Sequence, residues 1–208
     1  LITALELHEA VFKGARGIDP GQWRLVNVRI AGSTHRPPRP EKVVAEMEDW
    51  RAEYARRDLE GEETFALGAW MHHRFESIHP FADGNGRVGR LLLNLHFLRR
   101  NWAPVHLVPG DRREYFGALE RAHAGDSAPL VHLLQEAMSR SLLDLLDQVG
   151  LEQDELKVLW SFASKTGYSG NYLALRANQG ALPALKERGR WRTSARAMSL
   201  YRLHTARG

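Results

Sequence analysis

The chain of 208 residues has no cysteine, which excludes disulfide bridges, thiolate metal sites and cysteine nucleophiles. It has no uninterrupted apolar run near the roughly 18–20 residues that a membrane-spanning helix needs. No basic stretch followed by an apolar one reads as a signal peptide, and there are no internal repeats or low-complexity tracts. What is present, 43% hydrophobic and 26% charged residues, is the make-up of a soluble globular protein and excludes disordered and collagen-like chains. A cytoplasmic location without membrane association is the expectation. The length suits one domain, or a main domain with a small appendage. The first residue is Leu1 rather than methionine, so a segment upstream is expected.

The formal net charge of +4 is unevenly spread. Residues 1–150 hold 19 Lys and Arg against 21 Asp and Glu, whereas residues 151–208 hold 10 against 4. Such asymmetry suits an appended module for nucleic acid or another acidic surface, and equally a solvated basic tail. Two domains are expected, 1–150 and 151–208.

Apolar residues at helical spacing predict helices over Leu1–Gly14 (Leu5, Val11, Phe12), Val43–Arg57 and Thr64–Ile78, and another beginning near Asn85 with Val88, Leu91, Leu92 and Leu95. Further helices are expected at Arg112–Ala124, Ala128–Gln148 and Glu152–Lys165. Val26, Val28 and Ile30 alternate with polar residues, and Ala31-Gly32-Ser33-Thr34-His35 offers a turn, which predicts a short β-hairpin on a mainly helical protein. Pro80 ends the third helix, because a residue before proline is steered out of the α region.

Chemistry concentrates in His79-Pro80-Phe81-Ala82-Asp83-Gly84-Asn85-Gly86-Arg87-Val88-Gly89-Arg90. A helix start supplies unpaired N–H groups and the positive end of a dipole, a ready anion site. Gly84 and Gly86 would let the backbone approach a phosphate. Arg87 and Arg90, three apart, can both reach a polyphosphate as forked donors. Asp83 can hold a Mg²⁺ that bridges phosphate oxygens. His79 is the natural general base near neutral pH. These are parts that phosphoryl or nucleotidyl transfer requires. Gly84-x-Gly86-x-x-Gly89 also satisfies the dinucleotide-binding pattern, but it follows a helix and a proline rather than a strand. His72, His73 and His79 invite a metal reading, against which stands a packing or surface role for His72 and His73. A glycine-rich turn with exposed arginines would explain the glycines but not His79, Asp83 and Asn85 together.

The run His-Pro-Phe-x-Asp-Gly-Asn-Gly-Arg-x-x-Arg resembles the signature of the Fic family of AMP-transferases, with flanking likeness from about Leu5 to Gln148. The resemblance implies a helical Fic fold with a β-hairpin flap, ATP and Mg²⁺ as cofactors, and transfer of AMP to a Tyr, Thr or Ser hydroxyl of a target protein. By that resemblance His79 would deprotonate the hydroxyl, Asp83 would ligate Mg²⁺, and Phe81 would anchor the loop to the core. Gly84, Asn85 and Gly86 would cradle phosphates, with Asn85 on the transferred one, and Arg87 and Arg90 would bind the β and γ phosphates. Asp111-x-x-x-Tyr115-Phe116 resembles the nucleotide-side segment, so Tyr115 and Phe116 would border the adenosine, with core packing open for Phe116. The flap would align a target strand, with Ser33, Thr34 and His35 near the nucleotide or simply at a hairpin tip. The phosphate-transferring variant of the family has lysine in place of the second motif glycine, so Gly86 argues for AMP transfer, with removal of AMP left open. The inhibitory motif (Ser/Thr)-x-x-x-Glu-(Gly/Asn) is missing, since Glu60-Gly61 has Arg56 in the Ser/Thr place. An inhibitory helix is therefore expected upstream or on an antitoxin-like partner, and a homodimer stays open.

The last quarter reads as helix, helix, basic hairpin and helix, with Thr193 or Ser194 capping the last, and it resembles a small winged helix-turn-helix of the excisionase or MerR-like kind. Lys186, Arg188, Arg190 and Arg192 would touch DNA phosphates. Two functions of different class follow: a Mg²⁺-dependent protein AMP-transferase, or a DNA-binding regulator whose Fic domain is secondary or self-modifying.

Overall fold

Thr3 opens the first helix through a capping box: its hydroxyl accepts the Glu6 N–H at 3.2 Å, and Glu6 Oε2 accepts the Thr3 N–H at 2.6 Å. The computed structural model describes residues 3–15, 17–107, 112–148 and 155–205. They divide into two units, Leu1–Gln135 and Glu136–Gly208.

The first unit holds α1 (Ala4–Phe12), α2 (Val43–Leu59), α3 (Thr64–Ile78), α4 (Asn85–Arg99), α5 (Arg112–His123) and the start of α6 (Ala128–Gln148). α3 is its centre, packing on α2, α4 and α5, while α1 packs on α4. Ten of its fifteen residues are buried, among them Leu67, Phe75 and Ile78 with no exposure. The expected inward set Phe65, Ala69, Phe75 and Ile78 is buried, as are Val88 and Leu92 of α4, but Leu91 is exposed. The inward stripe of α1 runs Ala4, His8, Phe12, a polar ring in an apolar phase.

The predicted β-hairpin is not paired. Val28 and Ile30 are half-buried and alternate with exposed Asn27 and Arg29, but Val26 is exposed and no strand partner lies beside this segment among the described residues. The Ser33 N–H donating to Ile30 O at 3.2 Å closes the turn. The segment keeps a strand's periodicity without a ladder, because none of the described residues supplies the second edge.

The second unit follows α6 with β1 (Lys157–Val158), a 3₁₀ turn (Leu159–Phe162), α7 (Ala163–Thr166), α8 (Gly170–Asn178), β2 (Leu185–Glu187), β3 (Arg190–Thr193) and α9 (Ala195–Thr205). The helix expected over Glu152–Lys165 therefore forms only at its end. Residues 151–154 lie outside the described ones, and Lys157 and Val158 pair antiparallel with Thr193 and Arg192 instead. The sheet order is β1-β3-β2. The β2–β3 hairpin forms where expected, turning at Arg188 and Gly189, both at positive φ. Ser194 caps α9, its Oγ accepting the Ala197 N–H at 3.1 Å. Leu159, Phe162, Leu173, Leu182, Met198 and Tyr201 make the core.

Gly170, the first residue of α8, lies under the Trp160 indole, where a Cβ would stand 2.2 Å from the ring. Gly170→Ala is expected to destabilise the second unit by about 1–3 kcal/mol, although Gly→Ala ordinarily favours a helix. Thermal unfolding followed by tryptophan fluorescence checks this, and an unchanged midpoint would refute the close approach.

Candidate active site

His79 ends α3 as its C-cap, in the left-handed region at φ 50°, ψ 60°. That turn aims the ring back at the helix end: Nδ1 lies 3.3 Å from Glu76 O and 3.9 Å from Glu76 Oε2. With Nδ1–H donating to the carbonyl, Nε2 keeps its lone pair. Burial lowers the His79 pKa below its usual 6.5 against the raising effect of the Glu76 carbonyl, and nearby Arg24 and His35 lower it further. The ring is thus neutral at neutral pH, a base with one free nitrogen.

Arg24, which the sequence reading missed, fixes that turn. It is 3% exposed. Its Nε donates to His79 O (2.8 Å) and Nη2 to Ile78 O (3.3 Å) at the negative end of α3, while Nη1 reaches Val26 O (2.9 Å) and Nη2 Pro38 O (2.6 Å) at the two bases of the flap. One guanidinium ties the base-bearing helix end to both legs of the flap. Its sequence signal was faint: Arg24 lies in phase with Val26 and Val28, a charged residue on the expected apolar side of the alternation.

The loop 80–84 hangs from Phe81, which is fully buried and stacks on His8 (ring centroids 3.9 Å apart) and Trp23 (5.0 Å). Asn85 closes it, its Oδ1 accepting the Phe81 N–H and its Nδ2 donating to Phe81 O, both at 2.8 Å. Asn85, expected by resemblance at the transferred phosphate, thus commits one of its two Nδ2 donors and one Oδ1 lone pair to the loop. His8, also missed, accepts the Gly21 N–H at Nδ1 (3.0 Å) and donates from Nε2 to Asp83 O (3.2 Å). Its signal was its place in the Ala4–His8–Phe12 stripe.

Gly84 is the N-cap of α4 at φ 82°, and a Cβ there would strike the Phe12 ring at 2.2 Å, so both conformation and space require glycine. No side chain caps α4; the Arg87 N–H donates to Gly84 O at 3.0 Å, and the Asn85 and Gly86 N–H groups ahead of it are left for an anion. Arg87 and Arg90 are exposed beside it. The Arg87 guanidinium lies 4.2 Å over the Phe12 ring and 3.8 Å from Asp83 Oδ2, and Arg90 Nη1 sits 3.2 Å from where a Gly86 Cβ would stand. Asp83 Oδ1 accepts the Gly84 N–H at 2.6 Å, and its side chain is 65% exposed. A single exposed carboxylate beside an anion site fits Mg²⁺, which binds through one or two carboxylates plus substrate phosphates. Among the described residues no group of three His, Asp or Glu could hold a metal alone.

Other expected residues are placed elsewhere. Tyr115 turns into the core, its hydroxyl donating to His72 Nε2 at 2.8 Å while His72 Nδ1 donates to Gly89 O at 3.2 Å. His72 is a packing residue, and burial pushes its pKa down to about 4. Phe116 is half-buried, with Arg112 5.5 Å over its ring. Asp111 lies outside the described residues. Ser33 Oγ and Thr34 Oγ1 donate to Glu120 of α5, and His35 donates to Ser77 O (3.0 Å) and stacks on His123 at 4.1 Å. The flap tip is thus latched to α5 and the end of α3. Glu60 is taken up by Arg56 on α2.

Residues 2–97 match the Fic/DOC family. The chain is a Fic/DOC family protein. It is 31% identical over 138 residues to protein adenylyltransferase Fic of Nematostella vectensis, covering 66% of this chain and 32% of that protein. It is 35% identical over 146 residues to protein adenylyltransferase fic-1 of Caenorhabditis briggsae, with 66% and 27% covered. The chain thus spans about a third of the length of these relatives. A Fic-domain-containing signalling protein from Bacteroides thetaiotaomicron superposes with TM-score 0.64 at 26% identity, covering 72% of this chain and 64% of that one. The Fic fold here is mainly helical, with a small three-stranded antiparallel sheet near the C-terminus.

Glu76 is the outlier beneath the Fic motif. Its Oε1 is buried without a hydrogen-bond partner, and a Cβ on Gly89 would stand 2.2 Å from that oxygen. Burial pushes its pKa up to about 7, opposed by Arg90. A carboxyl whose folded pKa exceeds its unfolded 4.5 contributes stability that is fully present below pH 4.5 and is lost as pH rises through 7. The span corresponds to a loss on the order of 3 kcal/mol, which Glu76→Gln should abolish. Urea unfolding at pH 4.5 and 7.5 checks this, and an equal pH dependence in both proteins would refute it.

Proposed function

We propose that this Fic domain is a Mg²⁺-dependent protein adenylyltransferase that transfers AMP from ATP to a Tyr, Thr or Ser hydroxyl of a target protein. The observation that carries the reading is His79, neutral and with Nε2 free, four residues from Asp83 and beside an uncapped helix start flanked by Arg87 and Arg90. The adenylyltransferase names of the relatives point the same way.

His79 Nε2 takes the proton of the target hydroxyl as that oxygen bonds to the α-phosphorus of ATP. The bond from the α-phosphorus to the bridging oxygen breaks, and pyrophosphate leaves with the electron pair. The first-turn N–H groups of α4 and the exposed Arg87 and Arg90 bind the β and γ phosphates and stabilise the charge that develops on them. Asp83 would hold Mg²⁺, which when bound neutralises phosphate oxygens. As His79 gains its proton, the Glu76 carbonyl 3.3 Å from Nδ1 keeps the Nδ1–H bond and favours the imidazolium. The segment 27–29, beside which no strand is paired among the described residues, gives a target segment backbone groups to pair with, so that its hydroxyl is presented by strand addition. Phe116, half-exposed, is the aromatic left for the adenine; Tyr115 is not. With water in place of pyrophosphate attacking the α-phosphorus of the modified side chain, the target O–P bond would break, AMP would leave and the target oxygen would regain its proton at the same groups.

Incubation of the full chain with ATP labelled in the α-phosphate and Mg²⁺ should label the chain itself or lysate proteins, and His79→Ala should lower the rate by about 10²–10⁴-fold. The acid limb of the rate profile should lie below pH 6.5, following the lowered His79 pKa. Label from the γ-phosphate alone would replace AMP transfer with phosphate transfer, and no label from either would refute the reading.

A further inference from the structure

The second unit carries chemistry that AMP transfer does not use. From Leu156 to Gly208 the sequence holds ten Lys and Arg and a single acidic residue, Glu187, and Lys157 is paired with Glu155 just before this stretch at 3.0 Å. Glu187 is neutralised, since Arg192 Nη1 donates to its Oε2 at 2.7 Å. Arg192 also donates from Nη2 to Leu156 O at 2.6 Å, so of the four basic hairpin residues it is the one committed to holding the sheet together. Arg188 and Arg190 are exposed, and Lys186, also exposed, lies 5.5 Å over the Trp191 ring. An open cavity lined by Val158, Glu187, Arg188, Arg190 and Arg192 runs beside them.

The order of elements is specific. α7 ends at Gly167, in the left-handed conformation at φ 78°, and α8 starts after Ser169, whose Oγ accepts the Tyr172 N–H at 3.2 Å. The 3₁₀ turn Leu159–Phe162 running into α7, then three residues with a glycine at the bend, then α8, have the layout of a helix-turn-helix, and Trp160 of the 3₁₀ turn seats on Gly170 at the start of α8. The β2–β3 hairpin follows as a wing, with β1 closing the sheet on β3. The outward face of α8 presents Asn171, Leu175 and Asn178, spaced by four and three residues and all exposed, with no acidic residue anywhere in the helix.

We infer that this unit binds duplex DNA, with α8 against base edges in the major groove and Lys186, Arg188 and Arg190 of the wing on the phosphate backbone. Asparagine amides pair with adenine edges and apolar side chains meet thymine methyls in that groove, and the second helix of a helix-turn-helix is the element that enters it. A protein partner with an acidic surface would satisfy the wing but would leave the Asn171–Asn178 face without its chemistry. The site uses none of the residues around His79 and stands or falls independently of AMP transfer.

The test uses the full chain and a fluorescent 20-base-pair duplex in fluorescence anisotropy. Affinity should fall steeply with salt, and Arg188→Ala with Arg190→Ala should flatten the log–log slope by about 1.8, or 0.9 for each phosphate no longer neutralised. Asn171→Ala with Asn178→Ala should leave that slope unchanged while erasing any preference among duplexes selected from a random pool. Circular dichroism and the thermal midpoint establish that each variant is folded. Arg51→Ala with Arg99→Ala, two exposed arginines of the first unit, should leave binding intact. No binding at 50 mM salt, an equal loss from the first-unit pair, or displacement by poly-glutamate at concentrations where the duplex binds would each overturn the inference, the last in favour of an acidic protein partner.

Discussion

The Arg24 guanidinium is the point on which the first unit's chemistry hangs. A buried arginine is costly unless its donors find acceptors, and this one is surrounded by backbone carbonyls of three separate segments. Two of those carbonyls are the last of α3, where the helix dipole already favours positive charge. The left-handed turn at His79 is therefore held from outside the helix. The same contact sets where the flap leaves the core, so the base and the surface expected to present its substrate share one anchor. The loop beyond it is secured in the same manner: His8, Phe81 and Asn85 fill its interior with stacked rings and paired amides, leaving Asp83, Arg87 and Arg90 to face solvent.

A pattern runs through the unit's histidines. His8, His72, His79 and His96 are all placed where burial disfavours their charged form, and each has a ring nitrogen engaged with a backbone carbonyl. Three of them lie in the core and serve as neutral hydrogen-bonding rings. His79 is the one whose second nitrogen is left without a partner among the described residues. The chemistry of a base is thus obtained from the same device that elsewhere makes a packing residue, by withholding one partner.

Much of this site was legible because it is contiguous. Pro80 marks the end of α3, Gly84 the start of α4, and the residues between have to form a loop at a helix N-terminus, so His79, Asp83, Arg87 and Arg90 fall close together by chain geometry alone. What was not legible is what reaches the loop from far away. Arg24, His8, Glu76 and Glu120 act through tertiary contacts, and only a polar residue in an apolar phase hinted at the first two. Only the likeness of Asp111-x-x-x-Tyr115-Phe116 to the nucleotide-side segment puts Tyr115 toward the nucleotide, but direction around a helix depends on what it meets, and its hydroxyl meets His72. The same blindness produced the strand reading of 26–30, where alternation is real but no second edge lies among the described residues, and the helix reading of 152–165, where Lys157 and Val158 pair with β3 instead. The hairpin at 185–193 succeeded because its turn, Arg188-Gly189, is local.

The oxygen of Glu76 and the bare Cα of Gly89 occupy one another's space. A side chain at 89 requires the Glu76 carboxyl to swing aside, and its Cβ would still stand 3.1 Å from Phe75 Cδ1. Substitutions at 76 and 89 are therefore coupled, and the room open to the second half of the motif is set by a residue of the preceding helix.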